Sequence, residues 1–386
     1  MRWTNAFLDE LRTESDPEVD GMVGTFLQER GKPARDLLAP MIRYESLPPE
    51  DRSEEITEWL ADRPDLPEWA DSTLMKRGVE FFEENGPQIM TCLLFASLPE
   101  CYAARKGVHV LHITSELLSH TKRRLVETAR LVVLSPGGLE PGGVGYNTTR
   151  RVRLMHSGIR WEIVSDERIV KTGDPNEMRP HYDPAWGVPI NQEDLLGTLM
   201  TFSIVILDAL RKTGERFDDE DAAAYQHTWN VVGHLIGIRP DLLPIDLEEG
   251  RELMDLIRRR QHAPCRQGQE LNDAILSFAQ GAIGDARWLY GLPASLMRYM
   301  IGDRVADILA VPQADYTKYW IPALVQFRRF VELFGQQRIM RLITADFNRN
   351  LLRQMLAAQR GVDRGGFTLR DELMEKWDLR PVALPV

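Results

Sequence analysis

Apolar residues recur at intervals of three and four over most of the chain after residue 72, which is the spacing of an α-helix with one buried face. Alternation of apolar and polar residues, which indicates strands, is nearly absent. The run IVSDERIVK (163–171) is a weak exception that could form one small hairpin. The pattern therefore predicts an all-α protein.

Capping residues and helix breakers set the expected helix limits. The run Asp71-Ser72-Thr73 offers an N-cap for the first helix, Thr148 or Thr149 for the fourth and Asn191 for the fifth, whereas Gly86 and Pro87 are expected to end the first helix. The helices predicted in this way cover residues 74–86, 89–104, 109–134, 148–164, 192–214, 218–236, 247–262, 267–284, 293–309 and 317–360, the last of them interrupted once.

The chain is expected to form one large domain with an N-terminal extension. Residues 1–70 are charged and rich in proline, which predicts short helices packed on a larger body. Residues 71–386 then form a single all-α domain, with extra helices at its C-terminal end. A chain of 386 residues is long enough to bury a large core without disulfides or structural metals.

Composition excludes several classes of function. The 47 basic and 58 acidic residues give a net charge of −11, which opposes non-specific binding to nucleic acid. The three cysteines are scattered and form no C-x-x-C pair, which argues against a disulfide framework and a zinc ribbon.

The N-terminus is acidic and lacks the apolar region of a secretory signal, and the longest apolar stretch, 195–207, is shorter than a membrane span. We therefore expect a cytoplasmic protein with no membrane span.

The segment RRVRLMHSGIRWEI (150–163) carries the most unusual group of side chains. On a helix Arg153, His156 and Arg160 share one face, because they are spaced at i, i+3 and i+7. Cations beside an imidazole favour its neutral form, which is the form that binds iron. The guanidiniums also need anions, which haem propionates would supply. A lone histidine on a partly apolar helix is more often a hydrogen-bonded core residue, so spacing alone leaves both interpretations open.

A family resemblance bears on this choice. The pattern formed by Arg153, His156 and Arg160 resembles the signature of the latex clearing protein and MpaB-like oxygenase family. Three further segments resemble motifs of that family in the same order, and they cover residues 187–202, 224–238 and 293–312. The resemblance spans roughly residues 72–312. It implies a globin-like helical core around haem b, with His156 as the axial iron ligand and Arg153 and Arg160 in the cofactor site.

The resemblance also implies a distal side of the pocket. The family's Arg-x-x-Lys-Thr run corresponds to Arg124, Glu127 and Thr128, which share a helix face. Glu127 replaces the lysine, so a lysine-capped iron is not expected here. Glu127 could instead act as a base or accept a hydrogen bond from bound oxygen or water. The alternative is a solvated face on which Arg124 pairs with Glu127 or Glu116.

Other polar residues have weaker claims to the site. The resemblance places Thr198 in the pocket, although a threonine that bonds back to a carbonyl four residues earlier is common. His109 and His112 are one turn apart and are further candidates for the distal side. His227 and His234 are two turns apart, which is too far to chelate one ion, so we expect them to be structural.

The function implied by the resemblance is a haem-b-dependent oxygenase. Its expected substrates are O2 and a small hydrophobic molecule, an isoprenoid or other alkene, whose C=C bond is cleaved. The alternatives are a haem enzyme with peroxidase-like or dehydratase chemistry, and a non-enzymatic helical protein in which Arg153 and Arg160 hold an acidic ligand. Whether an electron donor takes part is left open by the sequence.

Overall fold

The computed structural model describes residues 2–30, 53–117, 128, 131–170, 181–283, 289–313 and 316–323. These residues form helices joined by loops, which confirms the predicted all-α class. Within the described ranges there is no β-strand, and β-pairing is confined to two isolated bridges, Ala104–His262 and Val170–Tyr182. The hairpin expected at 163–171 is absent, because its first residues belong to a helix.

The helices of the described ranges are numbered in chain order. They are α1 (Asn5–Leu11), α2 (Pro17–Arg30), α3 (Glu54–Ala61), α4 (Ser72–Cys92), α5 (Leu98–Ala103), α6 (Arg105–Leu117), α7 (Val144–Ser165), α8 (Gln192–Phe202), α9 (Ile204–Lys212), α10 (Asp219–Leu235), α11 (Leu247–Gln261), α12 (Arg266–Ile283) and α13 (Leu292–Ile308).

Helix α4 continues through Pro87, where the sequence predicted an end. Its start is as predicted, since the Asp71 carboxylate accepts from the backbone N–H groups of Thr73 and Leu74. A proline inside a helix costs about 3 kcal/mol because it removes a hydrogen bond. Ile89 and Met90, which follow Pro87, are buried in the main core, and their packing outweighs that cost.

The centre of the fold is the contact between α4 and α10, which lie along each other. At Gly78 the two backbones approach so closely that an added Cβ would lie 2.6 Å from the carbonyl oxygen of Ala224. A π-helical segment, Leu93–Ser97, links α4 to α5 and is buried throughout. The largest buried side chains around this centre are Trp229, Tyr146, Tyr225 and Phe95.

The predicted helix at 192–214 is divided in two by Ser203. Its start is correct, because the Asn191 side chain accepts from the backbone N–H of Asp194. Ser203 has a ψ of −78° and its hydroxyl donates to the carbonyl of Leu199 at 2.9 Å. This back-bonding by a serine bends the chain at the start of α9.

The N-terminal helices cover one side of the molecule. Helix α2 lies along α7, and α3 contacts both. A separate apolar cluster holds them together, in which Val23 and Leu27 of α2 and Ile56 of α3 contact Leu154 of α7. The N-terminal part therefore fixes α7, the helix that carries His156, while the division into residues 1–70 and 71–386 stays a prediction.

Candidate functional site

Helix α7 starts earlier than the sequence predicted, at Val144, and no side chain caps it. The expected caps, Thr148 and Thr149, lie inside the helix, and the Thr149 hydroxyl donates to the Gly145 carbonyl at 2.8 Å. The glycine-rich loop provides the cap instead, since the N–H of Gly145 donates to the carbonyl of Gly137 at 3.0 Å. The loop backbone therefore fixes the start of the helix that carries His156.

His156 lies near the middle of α7 and its side chain is half-buried. Thr149 and Ile163 lie seven residues away on either side, so all three share one face of the helix. Thr149 is 0 % exposed and Ile163 is 1 % exposed. The two ends of this face are therefore fully buried, whereas His156 between them is partly exposed.

The two arginines beside His156 have carboxylate partners on α2 and in the turn before it. Arg153 Nε lies 2.5 Å from Asp16 Oδ2, and Arg153 Nη2 lies 2.7 Å from Glu18 Oε2. Arg160 Nη2 lies 2.7 Å from Asp20 Oδ1. The anions that the sequence analysis assigned to haem propionates are therefore supplied by the chain itself. The assignment of Arg153 and Arg160 to the cofactor site stays a prediction.

The pKa values of these carboxylates show that the arginines dominate their surroundings. Burial raises the pKa of Glu18, but the hydrogen bond from Trp59 and the charge of Arg153 outweigh burial and bring the pKa below its ordinary 4.5. Burial likewise raises the pKa of Asp20, and the hydrogen bonds and charge of Arg160 bring it below 3.8. Both carboxylates are therefore ionised at neutral pH, and the ion pairs persist.

Arg160 also holds a strained residue on the loop before α8. Its Nη1 donates to the carbonyl oxygen of Ile190 at 3.2 Å, and Ile190 has a φ of +54°. A positive φ is rare for a β-branched residue and has to be imposed by its surroundings. Arg160 thus ties α7 both to α2, through Asp20, and to the start of α8.

The C-terminal half of the His156 face contacts α6 and the segment after α7. Ile163 packs in a cluster with Val110 and Ile113 of α6 and with Tyr182 and Trp186. The N-terminal end of the same face contacts the chain that follows residue 130, where the Thr149 hydroxyl donates to Ser135 Oγ at 3.3 Å.

The histidines proposed for the distal side belong to this cluster or lie beside it. His109 is 1 % exposed, and its ring centroid lies 4.7 Å from that of His181 and 4.4 Å from that of Trp186. His112 Nε2 lies 3.6 Å from Glu270 Oε2. The distal role of His109 and His112 stays a prediction, and the observed contacts place both on α6 near the Ile163 end of the face.

Of the remaining predicted site residues, the structure describes Thr128 and Thr198 only. Arg124 and Glu127 lie outside the described residues. Thr128 is described as helical and half-buried. Thr198 is exposed, and its hydroxyl donates to the Asp194 carbonyl at 2.9 Å. This is the back-bonding contact that the sequence left as the alternative, and the assignment of Thr198 to the cofactor pocket stays a prediction.

His227 and His234 make the structural contacts expected of them. The N–H of Asp71 donates to His227 Nε2 at 3.0 Å. Both imidazoles contact the Trp69 ring edge-on, with centroid distances of 5.9 Å and 6.0 Å. They attach the residues before α4 to α10.

Sequence reasoning missed the acidic residues that determine how α7 is held. Asp16, Glu18 and Asp20 are spaced two apart in the run SDPEVDG, which the sequence showed only as part of a charged extension. Asp16 and Asp20 are four residues apart and their partners Arg153 and Arg160 are seven apart, and nothing in the local pattern shows that α2 lies along α7. The only available signal was that two unpaired cations on one helix require acids elsewhere.

The donor set around His156 limits what it can bind. In the part of the chain that the structure describes, no three His, Cys, Asp or Glu side chains are grouped closely enough to hold a metal ion. A metal held by protein ligands alone usually needs three or four of them, whereas the iron of a porphyrin needs one or two. Among the described helices, none combines the length and apolar character that a membrane crossing requires.

Comparison with known proteins identifies the family. Residues 88–336 match the family model of the catalytic domain of the ER-bound oxygenase mpaB/B′ and rubber oxygenase. The chain therefore belongs to this oxygenase family and is an enzyme of the oxygenase class. The matched residues include α7 with His156 and the segment that carries Arg124, Glu127 and Thr128.

Two relatives illustrate the breadth of the family. The rubber oxygenase of Streptomyces sp. (strain K30) is 24% identical over 326 residues, which cover 81% of this chain and 75% of the relative. A solved structure of latex clearing protein in the closed state superposes with a TM-score of 0.68 at 20% identity, covering 89% of this chain and 91% of the other. The helical fold is thus shared along nearly the whole of both chains.

Proposed function

We propose that the protein is a haem-b-dependent oxygenase that uses O2 to cleave the C=C bond of a small hydrophobic alkene, such as a short isoprenoid. Membership of the oxygenase family supports the class of reaction. The name of the Streptomyces relative, rubber oxygenase, supports an isoprenoid or other alkene as the type of substrate. We expect a small substrate because we expect the protein to be cytoplasmic, and that location stays a prediction.

The observation that carries the proposal is the position of His156. Its imidazole is half-buried at the middle of a helix face whose ends, at Thr149 and Ile163, are closed by packing. A single imidazole nitrogen at this position would hold the iron of a haem.

Arg153 and Arg160 serve in this proposal as positioning residues. They lie one turn before and one turn after His156, and both bind acids of the α2 region, namely Asp16 and Asp20. Pairs above and below the imidazole fix the rotation of α7 about its axis. The imidazole is then presented in one orientation before the cofactor binds, which lowers the entropic cost of ligation.

We assign Arg124, Glu127 and Thr128 to the opposite side of the cofactor because of family membership, since the residues that match the family model include this segment.

In the proposed reaction the bound haem supplies the iron at which O2 is activated. The residues of the chain orient the substrate and handle protons. Thr128 is assigned as a hydrogen-bond donor and Glu127 as a proton acceptor on the distal side. Apolar residues near the face, Ile159 and Ile163 among them, exclude water and favour an apolar substrate.

The non-enzymatic alternative loses its main support. It required Arg153 and Arg160 to hold an acidic ligand, and both already bind Asp16, Glu18 or Asp20. Haem chemistry of the peroxidase or dehydratase type is the other alternative, and the activity test below distinguishes it from oxygen insertion.

The first test is the visible spectrum of the purified protein and of His156→Ala. We expect a Soret band in the wild type and its loss, or a change of axial ligation, in the variant. His227→Ala is the matched control, because His227 is another half-buried helical histidine that contacts Asp71 and Trp69. A colourless wild type from cells fed a porphyrin precursor would overturn the proposal, as would a His156→Ala protein with an unchanged spectrum.

The second test is product analysis with short terpenoid alkenes and with polyisoprene under labelled O2. We expect carbonyl products that carry the label from the short alkenes. Activity on the polymer alone would contradict a small substrate. Products without label, or activity that requires peroxide, would show that the reaction is not oxygen insertion and would favour peroxidase-like or dehydratase-type haem chemistry.

A further inference from the structure

A polar cavity of about 370 Å³ lies where α1, the start of α6 and the end of α11 meet. Its lining residues are Asn5, Asp9, Lys106, Leu256, Arg259 and Arg260. The lining thus holds three cations and one carboxylate. Asp9 is already bound, because Arg260 Nη2 lies 2.6 Å from Asp9 Oδ1.

Lys106 makes no ion pair with any described residue, although carboxylates lie near it. Glu193 is occupied by Arg12 at 3.1 Å and by Arg260 at 2.8 Å. Asp194 is occupied by Arg12 at 2.9 Å. The neighbouring acids are therefore engaged by other cations, and no described carboxylate forms an ion pair with the ammonium group of Lys106.

The field at Lys106 is unfavourable for a cation. Burial lowers the pKa of its ammonium group, and the charges of Arg12 and Arg260 lower it further, which together outweigh the opposing charges of Glu193 and Asp9. Lys106 also lies in the first turn of α6, where the helix dipole disfavours positive charge and favours negative charge. A bound anion would relieve each of these costs.

Two other donors complete the arrangement. Arg259 is exposed at the mouth of the cavity and forms no ion pair with the described residues. Asn5 accepts from Arg260 Nη1 at 3.3 Å through Oδ1, so its amide N–H groups remain as donors. Arg260 is held by Asn5, Asp9 and Glu193 and acts as a rigid wall.

We propose that this cavity binds a phosphate group, either free or on a small organic phosphate, between Lys106 and Arg259. A phosphate monoester carries about −1.5 to −2 charges at neutral pH, which matches the two cations that lack counter-ions. Lysine and arginine are the usual phosphate-binding side chains, and an amide N–H adds a third donor. The site is separate from the α7 face that carries His156, and the proposal does not rest on the proposed function.

The test is isothermal titration of the full chain as purified with inorganic phosphate, glycerol phosphate and succinate, at constant ionic strength in a chloride buffer. We expect saturable binding of one phosphate or glycerol phosphate per chain and weaker binding of succinate. Lys106→Gln and Arg259→Gln are each expected to weaken binding about tenfold, since each removes a charge-assisted hydrogen bond. If only glycerol phosphate binds, the site recognises organic phosphates; if both bind alike, it recognises the phosphate group itself.

Arg266→Gln is the matched control. Arg266 is an exposed arginine at the start of α12 outside the cavity lining, so its removal changes the net charge by the same amount. Binding should be unchanged in this variant. Absence of saturable binding, equal weakening by Arg266→Gln and Arg259→Gln, or tighter binding of succinate than of phosphate would each overturn the proposal. Arg259 is exposed, so its variant tests the site even if Lys106→Gln is poorly folded.

Discussion

Arg160 on α7 binds Asp20 on α2 through two nitrogens, with Nε at 2.9 Å and Nη2 at 2.7 Å from Asp20 Oδ1. Arg160 is 4 % exposed, so its side of the pair is largely screened from water. Together with the pair of Arg153 and Asp16, it fixes α7 against the N-terminal helices on both sides of His156. The stability of this contact can be tested through its dependence on pH.

Asp20→Asn should lower the free energy of unfolding by about 2–3 kcal/mol near neutral pH, because it replaces a charged hydrogen-bond acceptor of a buried arginine. The folded protein holds the pKa of Asp20 below 3.8, since the hydrogen bonds and charge of Arg160 outweigh burial. When folding lowers the pKa of a carboxyl group, its charge stabilises the fold at pH values above the pKa of that group in the unfolded chain. This stabilisation is lost as the pH falls through the pKa of the group in the folded protein. The difference between wild type and variant should therefore shrink below about pH 4.

Urea denaturation of both proteins at several pH values between about 7 and about 3 measures this difference. Asp219→Asn is a suitable control, because Asp219 pairs with Arg211 but its side chain is 95% exposed. Exposed pairs contribute about 0–1 kcal/mol. A difference for Asp20→Asn that stays constant down to the lowest pH would show that the carboxylate charge does not stabilise the fold.

Arg160→Gln and Asp20→Asn should be non-additive in a double-mutant cycle. Because each residue is the other's main partner, the double variant is expected to be more stable than the sum of the single effects by about 1–3 kcal/mol. If haem is present, both single variants should affect its retention to a similar extent, since both loosen α7. A large loss of pigment in Arg160→Gln with none in Asp20→Asn would indicate that Arg160 binds the cofactor directly.

Glu100→Ala should be strongly destabilising. Glu100 is 3 % exposed and accepts from Arg258 through both carboxylate oxygens, at 2.9 Å and 3.1 Å. Removing one partner of a buried pair costs about 3–5 kcal/mol. We expect the lower end of this range, because Arg258 keeps Asp255 at 3.0 Å and its side chain is 28% exposed. The variant also removes the contact between the carboxylate and the imidazole of His262 at 3.4 Å.

The control for Glu100 is Asp255→Ala, which removes the other carboxylate that Arg258 binds. Asp255 Oδ1 lies 3.0 Å from Arg258 Nη1, but its side chain is 58% exposed. We expect a change of about 0–1 kcal/mol in this variant. Equal effects of the two substitutions, measured by urea denaturation, would contradict the buried role of Glu100.

Gly78→Ala should force α4 and α10 apart. The added Cβ would lie 2.1 Å from Thr228 Oγ1 and 2.6 Å from the Ala224 carbonyl oxygen, and the backbone oxygen cannot move aside. Overpacking of this kind costs about 1–3 kcal/mol. Gly21→Ala in α2 is the matched control, because nothing lies within 4 Å of its added Cβ. For Gly21→Ala we expect the free energy of unfolding to rise by about 0.5–1 kcal/mol, because alanine has the higher helix propensity. A decrease of similar size in both variants would contradict the close contact at Gly78.

The sequence by itself determined the helical class and many helix limits, because both depend on local patterns. The cap at Asn191 and the start of α4 at Asp71 were correct, since a cap is a contact between residues two or three apart. His156 was identified as the ligand candidate by its place on a helix and by a family resemblance that the comparisons confirmed as family membership.

The tertiary structure alone decided which contacts those helices make. It kept α4 continuous through Pro87, because burial of the following residues outweighs one lost hydrogen bond. It gave Arg153 and Arg160 carboxylates from residues more than 130 positions earlier in the chain, with sequence separations of 137 and 140. The spacing of residues along one helix shows which side chains share a face. Which surface that face contacts depends on how helices distant in sequence pack together, and the residue pattern of a single helix does not determine this packing.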